Sequence, residues 1–418
     1  MHKPLEMSAA RRWSIIGLLC LGMMIAYFDR INLSVALPDE GFKSTFRLSQ
    51  TDTGWLSSAF FWSYTILQIP IGFFVDRFGV RWPYAGGFAL WSIISGATAF
   101  TNTFRQLVTL RLLLGVAECP VTPAGMSWIR LHIPESRRGL AIGMYMAAAK
   151  LGPALGAVIA TYLITFAGWR NMFLILGFGC MLWLIPWLAL VKDEAPKPQK
   201  LAGTAAASAA GPSFGRLMAS PVIIGTIIGT FCYQYFVYFC VTWYPKYFAE
   251  SRNLNLEKSG LFTGFSLFGM ASVAILAGWV ADRMIVRGRN PVVVRKAFTI
   301  AGFAVASTEL IGAFASSTSV ALFFAVFSLS GLGLMTANYW ALTQTLMPGA
   351  AIGRIVGVQN MAANLPGIVA PLLTGWLVEK TGSYNAPMQA IGFFLMLGIA
   401  SYLFLVREKY VPKGKPHA

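Results

Sequence analysis

Five ionisable side chains stand inside stretches of the chain that are otherwise apolar, and any chemistry should start there. Arg111 and Glu118 lie in a run from about Leu107 to Trp128, Asp29 and Arg30 in one from Trp13 to Leu37, and Lys150 in one from Gly139 to Phe166. Runs of this length cross a bilayer as helices. Arg111 and Glu118 are seven residues apart, so they share one helical face about two turns (~10 Å) from each other. Opposite charges on one stripe of a membrane helix are expected to face protein or a water-filled cavity, not lipid. A guanidinium is a planar fork that matches a carboxylate, so Arg30 is the first candidate to hold an organic anion. Asp29 and Glu118 are candidate proton carriers, because neighbouring charge and burial together decide whether each is ionised. If Arg111 pairs with Glu118 in one state and is drawn away in another, Glu118 gains and loses a proton in step with that change. The competing readings are a static ion pair for Arg111 and Glu118 and a helix-packing hydrogen-bond acceptor for Asp29. Lys150 follows Ala147-Ala148-Ala149 and precedes Gly152-Pro153, small residues that allow close helix contact. It either gives an anion a second contact, which would favour a more acidic substrate, or pairs with Asp29 or Glu118.

Uncharged polar residues in other runs are candidates for reading hydroxyl groups. Gln234 and Tyr238 are four apart on one face of the seventh run. Asn338, Tyr339 and Trp340 lie in the tenth run, and Gln359, Asn360 and Asn364 in the eleventh. Each is equally readable as a hydrogen bond between helices. Glu309 reads as a peripheral helix end. The three histidines, His2, His132 and His417, are terminal or in a loop, so no histidine relay crosses the membrane. The five cysteines lie in apolar runs without metal or disulfide spacing and read as packing residues. No nucleophile–base set, metal cluster or nucleotide loop is visible. The expectation is a protein that is not an enzyme and holds no cofactor or metal, with protons as the coupling ion.

The elements that must carry these residues are membrane helices. The chain has 418 residues, 56% hydrophobic and 12% charged, with mean hydropathy +0.62; a soluble domain carries about a quarter charged residues. Twelve spans are expected at about 13–37, 53–75, 83–101, 106–128, 139–166, 170–191, 219–248, 259–281, 297–315, 319–346, 355–379 and 386–406. Of the 33 Lys and Arg, 22 fall in the alternate loops that include both termini and 8 in the opposite loops. This excess places both termini in the cytoplasm. It also accounts for the net charge of +17 without nucleic acid as a partner. The first run is too long for a cleavable signal peptide and no small-residue cleavage site follows it. Residues 193–218, rich in Ala, Pro, Lys, Gly and Ser, read as a cytoplasmic linker between an N-terminal six-helix bundle (1–192) and a C-terminal one with a short tail (219–418).

The two halves echo each other. Gly72-Phe-Phe-Val-Asp76-Arg77-Phe-Gly79-Val-Arg81 follows the second span, and Gly278-Trp-Val-Ala-Asp282-Arg283 follows the eighth, the aspartates lying 206 residues apart. Gly-x-x-x-Asp-Arg-x-Gly-x-Arg in that loop resembles the signature of the major facilitator superfamily. The resemblance implies that Asp76, Arg77, Arg81, Asp282 and Arg283 form cytoplasmic charge clusters that hold one access state closed; the other reading is loop charges that fix topology. Asp29-Arg30-x-Asn32 in the first span with Arg111-x6-Glu118 in the fourth resembles the anion:cation symporter branch, which includes bacterial sugar-acid carriers and vesicular glutamate and sialic acid carriers. That likeness points to Tyr64, Gln234, Trp340 and Asn364 as substrate contacts. It also implies an uncharged amide near position 150, from which Lys150 departs.

The expected protein is therefore an all-α membrane protein of the major facilitator fold, with twelve helices in two pseudo-symmetric six-helix bundles. It is expected to be a multi-pass, monomeric carrier of the inner (plasma) membrane. It would take up a small organic anion, such as a sugar acid or related carboxylate, together with protons by alternating access. The alternatives are an anion exchanger or exporter, a drug:proton antiporter, or a nutrient sensor that does not transport.

Overall fold

The computed structural model of the chain describes residues 7–37, 39–48, 50–192, 214–252, 254, 256–347 and 352–411. Most of the expected linker, residues 193–213, lies outside the described residues. The first half holds α1 (Ala9–Ala36), α2 (Gln50–Phe78), α3 (Arg81–Ala97), α4 (Phe104–Glu118), α5 (Val121–His132) and α6 (Glu135–Cys180). The second holds α7 (Pro221–Arg252), α8 (Leu256–Val286), α9 (Pro291–Ser307), α10 (Thr318–Gly331), α11 (Gly333–Leu346), α12 (Ile352–Asn364), α13 (Pro366–Thr381) and α14 (Asn385–Ala400). Among the described residues there is no strand. Ten helical segments among the described residues are long and apolar enough to cross a membrane. One of them, Glu135–Leu190, is 56 residues long and is interrupted at Gly168; α3 is only 17 residues long. This inventory is compatible with twelve passes.

Local chemistry sets the helix ends. Thr103 Oγ1 accepts from Gln106 N–H at 3.3 Å while Gln106 Oε1 accepts from Thr103 N–H at 3.1 Å, a reciprocal cap that starts α4. Asn290 Oδ1 accepts from the N–H groups of Val292 and Val293, and Pro291 supplies a helix-ready φ at the start of α9. Gly382, with φ 62°, ends α13. The run expected as one span at 106–128 is divided after Cys119, where Pro120 has no N–H to offer the preceding turn. Glu118 is thereby left as the last residue of α4.

Gly168 carries φ 81° and ψ 162° between two long helical stretches. That region of backbone space is open essentially to glycine alone. Gly168→Ala is expected to destabilise the protein by about 1–3 kcal/mol, read as a lowered midpoint of thermal unfolding in detergent.

The chain divides into two compact units. One comprises Met1–Ile133, Ala148–Lys197 and Ile352–Gly357; the other comprises Pro134–Ala147, Pro198–Ala351 and Val358–Ala418. Each unit therefore includes the first turns of one helix from the opposite half of the sequence. Apolar side chains such as Val158 and Phe166, 70% and 72% exposed, cover outward helix faces. Exposure of that kind suits lipid rather than water. In the first unit α4 lies close against α2, because Gly115 presents no Cβ; one built there would meet Tyr64 N at 3.0 Å.

Candidate functional site

Four of the five intramembrane charges come together in the first unit. Arg30, from α1, donates through Nε to Glu118 Oε2 of α4 at 2.7 Å. Arg111 was the expected partner of Glu118, but the ion pair is made by Arg30. The reason is geometric: a seven-residue step along α4 separates Arg111 from Glu118 by two turns, whereas α1 brings Arg30 alongside the end of α4. Arg111 is buried and interacts electrostatically with Asp29 and Glu118 without contacting either as an ion pair. Asp29 is 1% exposed, and its Oδ1 accepts from Ser95 Oγ of α3 at 2.7 Å and from Asn32 Nδ2 at 3.1 Å. Its Oδ2 has no hydrogen-bond partner among the described residues, and neither does Glu118 Oε1.

Aromatic rings box the Arg30 guanidinium. Its Cζ lies 4.4 Å from the Tyr27 ring centroid, 4.5 Å from Tyr64 and 4.8 Å from Phe60. Stacked rings cover the faces of a guanidinium and leave its in-plane N–H groups to form hydrogen bonds. Among the described residues only Glu118 meets Arg30 as a carboxylate. The Arg30 side chain is 14% exposed while Glu118 is 0% exposed, so the cation is the more accessible of the two. A planar donor edge held in place in a low-dielectric pocket is suited to bind an anion.

Lys150 stands apart from this cluster. It is partly buried on α6, and among the described residues it makes no hydrogen bond or ion pair. The expected alternative of a pairing with Asp29 or Glu118 is not what is observed.

The uncharged candidates of the second unit divide by their bonding. Gln234 Nε2 donates to Ala363 O at 3.2 Å, and among the described residues Gln234 Oε1 has no hydrogen-bond partner; the same is true of Trp340 Nε1. Asn364 Nδ2 donates to Asn360 O at 2.7 Å within α12, and the Tyr238 ring packs beside Gly367. Asn338 and Gln359 bond to Leu334 O and Thr230 Oγ1. Glu309 is not a peripheral helix end: it is 1% exposed and accepts from Ser328 Oγ at 2.6 Å. The break at Thr308 turns it inward.

The two repeated aspartates make matching contacts, each within one unit. Asp76 accepts from the N–H groups of Gly353 and Arg354, in the first turn of α12, at 2.7 and 3.1 Å, and lies 3.3 Å from the Arg354 guanidinium. Asp282 accepts from the N–H groups of Gly139 and Leu140 near the start of α6, at 2.9 and 2.7 Å, and from Arg295 at 3.1 Å. Gly353 and Arg354 lie in the first turn of their helix, where spare N–H groups and partial positive charge favour a carboxylate; Gly139 and Leu140 lie in the second turn of theirs, and each aspartate also has an arginine. The motif glycines make the approach possible. A Cβ on Gly72 would meet Arg354 Cα at 2.7 Å, and one on Gly139 would meet Gly278 O at 2.8 Å. Arg77, Arg81 and Arg283 point elsewhere: Arg77 over Phe78, Arg81 to Leu188 O, and Arg283 over Trp279.

Several partners carried no sequence signal of their own. Glu135 accepts from Arg295 and Thr345 and pairs with Arg138, which extends the Asp282 network. Arg295 reads from sequence as a loop cation that fixes topology, yet its side chain is 0% exposed. Gln68 is fully buried one turn beyond Tyr64, and among the described residues neither of its amide atoms has a hydrogen-bond partner. Its i,i+4 relation to Tyr64 was the available cue.

A family model described as Major Facilitator Superfamily matches residues 19–371. The chain is 29% identical over 409 residues, 94% of each chain, to the probable sulfoacetate transporter SauU of Cupriavidus necator. It is 26% identical over 427 residues, 95% of each chain, to the probable galactarate/D-glucarate transporter GarP of Escherichia coli (strain K12). The solved structure of the proton:xylose symporter XylE bound to 6-bromo-6-deoxy-D-glucose superposes with a TM-score of 0.75 over 98% of each chain, at 18% identity.

Proposed function

This chain belongs to the major facilitator superfamily, and from that premise we propose that it takes up a small organic anion with protons across the inner membrane by alternating access. The anion is a sugar acid or related carboxylate. The observation that carries the reading is the Arg30–Glu118 ion pair at 2.7 Å, with Asp29 and Arg111 in the same electrostatic cluster. A substrate carboxylate that takes the Arg30 fork competes with Glu118 for it. A buried carboxylate without its cation is costly, and taking up a proton removes that cost. Anion and proton therefore enter together, and release of one frees the other. Asp29 is the second coupling carboxylate and Arg111 the cation that both carboxylates feel. One proton enters with the anion when Glu118 leaves Arg30; a second, on Asp29, would add a net positive charge, and each such charge moved inward gains ~2.3 kcal/mol per 100 mV of inside-negative potential.

Tyr64 beside Arg30 is the candidate hydroxyl reader of the first unit; Gln234, Tyr238, Trp340, Asn360 and Asn364 are the candidates of the second. Gln234 Oε1 and Trp340 Nε1 support this assignment, because each is buried and lacks a hydrogen-bond partner among the described residues. Asp76 and Asp282, docked on helix starts, act as gates that release when the access state changes. Arg77, Arg81 and Arg283 belong to the same cytoplasmic loops. Relatives named for sugar-acid and sulfoacetate transport fit an anion as cargo.

Proteoliposomes test the proposal. An inward pH gradient should drive accumulation of a labelled sugar acid, and a protonophore should collapse it. Binding without flux, or movement of lipophilic cations instead, would contradict it.

A further inference from the structure

Resting on the anion–proton reading above, we infer that Lys150 is a specificity-determining residue and that the preferred substrate is a dianion, with one acid group on Arg30 and the other on Lys150. The position of Lys150 on its helix supports this first. The lipid-facing stripe of α6 is Leu155, Val158, Ile159, Tyr162 and Phe166, all at least 40% exposed. At 100° per residue Lys150 points roughly 135° away from that stripe. The face that packs on α1 is marked by Gly152 and Gly156, where an added Cβ would meet Tyr27 and Phe28. Lys150 is on neither face. It continues the stripe of Gly143 and Ala147, the first of which touches the α8 backbone at Ala274 and the second of which is 2% exposed. An ammonium there is turned away from the apolar stripe, onto a face that also carries the exposed small residues Ala154, Thr161 and Thr165, and cations in membrane spans that face away from lipid mark substrate paths when nothing else neutralises them.

Charge balance supports it second. Arg30 has Glu118, and Arg111 feels both Asp29 and Glu118, but Lys150 has no carboxylate partner among the described residues. When substrate takes Arg30 and Glu118 takes a proton, the three cations of these helices are left with one carboxylate, Asp29, which acts on Arg111 and not on Lys150. The excess is then two positive charges. A monoanion leaves one of them uncompensated in a low-dielectric interior, whereas a dianion cancels both. The contact with α1 brings the two cations to neighbouring helices: Gly152, two residues from Lys150, packs on Cβ of Tyr27, whose ring covers Arg30.

The test uses matched pairs that differ by one carboxylate on the same skeleton: D-gluconate with D-glucarate, and butyrate with succinate. Binding to the purified full-length protein and counterflow in proteoliposomes are measured for wild type, Lys150→Gln, Lys150→Arg and Arg30→Ala. The dianion of at least one pair should bind wild type tenfold or more tighter than its monoanion. Lys150→Gln should erase that gap by weakening the dianion alone, and Lys150→Arg should restore it. Equal affinities in wild type, or an equal loss of both members in Lys150→Gln, would overturn the assignment of Lys150 while leaving the anion site in place. Binding unchanged in Arg30→Ala would instead bring down the anion site, and the dianion preference with it.

Discussion

Glu118→Gln should abolish pH-driven accumulation while leaving substrate exchange intact. One proton per anion across a gradient of one pH unit supplies 1.36 kcal/mol, an accumulation ratio of about tenfold. Glutamine keeps the shape of the protonated side chain and can still accept from Arg30, but it carries no removable proton. The variant resembles the substrate-loaded, protonated state, so it should bind anion and swap internal for external substrate. Its accumulation ratio should fall to about one at any imposed pH gradient. Full accumulation in this variant would remove Glu118 from the coupling role and leave the 2.7 Å contact with Arg30 as a structural tie.

Arg30→Ala should weaken substrate binding by at least about 100-fold, equivalent to ~2.7 kcal/mol. Truncating one partner of a buried, hydrogen-bonded charge pair costs about 2–5 kcal/mol. Here the same cation serves both Glu118 and the substrate. Arg30→Lys separates charge from geometry: it keeps the positive charge but loses the planar fork and its stacking on Tyr27, Phe60 and Tyr64. Intermediate affinity is expected for Lys, and near-normal affinity for Ala would move the anion site elsewhere. A thermal melt of the same variants separates loss of folding from loss of binding.

The charges were visible in the sequence because Asp29, Arg30, Arg111, Glu118 and Lys150 interrupt apolar runs in which ionised groups are rare. Their pairing was not. Spacing along α4 suggested Arg111 for Glu118, whereas the partner comes from α1, 88 residues earlier, through a helix crossing that no local pattern encodes. Ser95 and Phe60, which hold Asp29 and Arg30, are common residue types in membrane helices and gave no cue. The repeated aspartates stood out through the half-length echo, but Asp76 and Asp282 dock on backbone N–H groups of Gly353, Arg354, Gly139 and Leu140, and backbone groups leave no mark in a sequence. Arg295 and Glu309 were misplaced for a related reason. Both lie near helix ends, and only packing determines whether such a residue turns outward or in. The apolar membrane helices were legible because bilayer thickness imposes their length directly on hydropathy; the ten spans among the described residues are compatible with the twelve expected. The break after Cys119 needed only Pro120, a residue whose effect on a helix is local.

The central claim is that substrate displaces Glu118 from Arg30 and that a proton replaces the lost cation. Proton uptake on binding measures this with no membrane involved: purified protein in a weakly buffered detergent solution, a pH-indicating dye, and saturating substrate. Wild type should take up about one proton per bound anion, and Glu118→Gln none. Binding without proton uptake in wild type, or the same uptake in Glu118→Gln, would contradict the account.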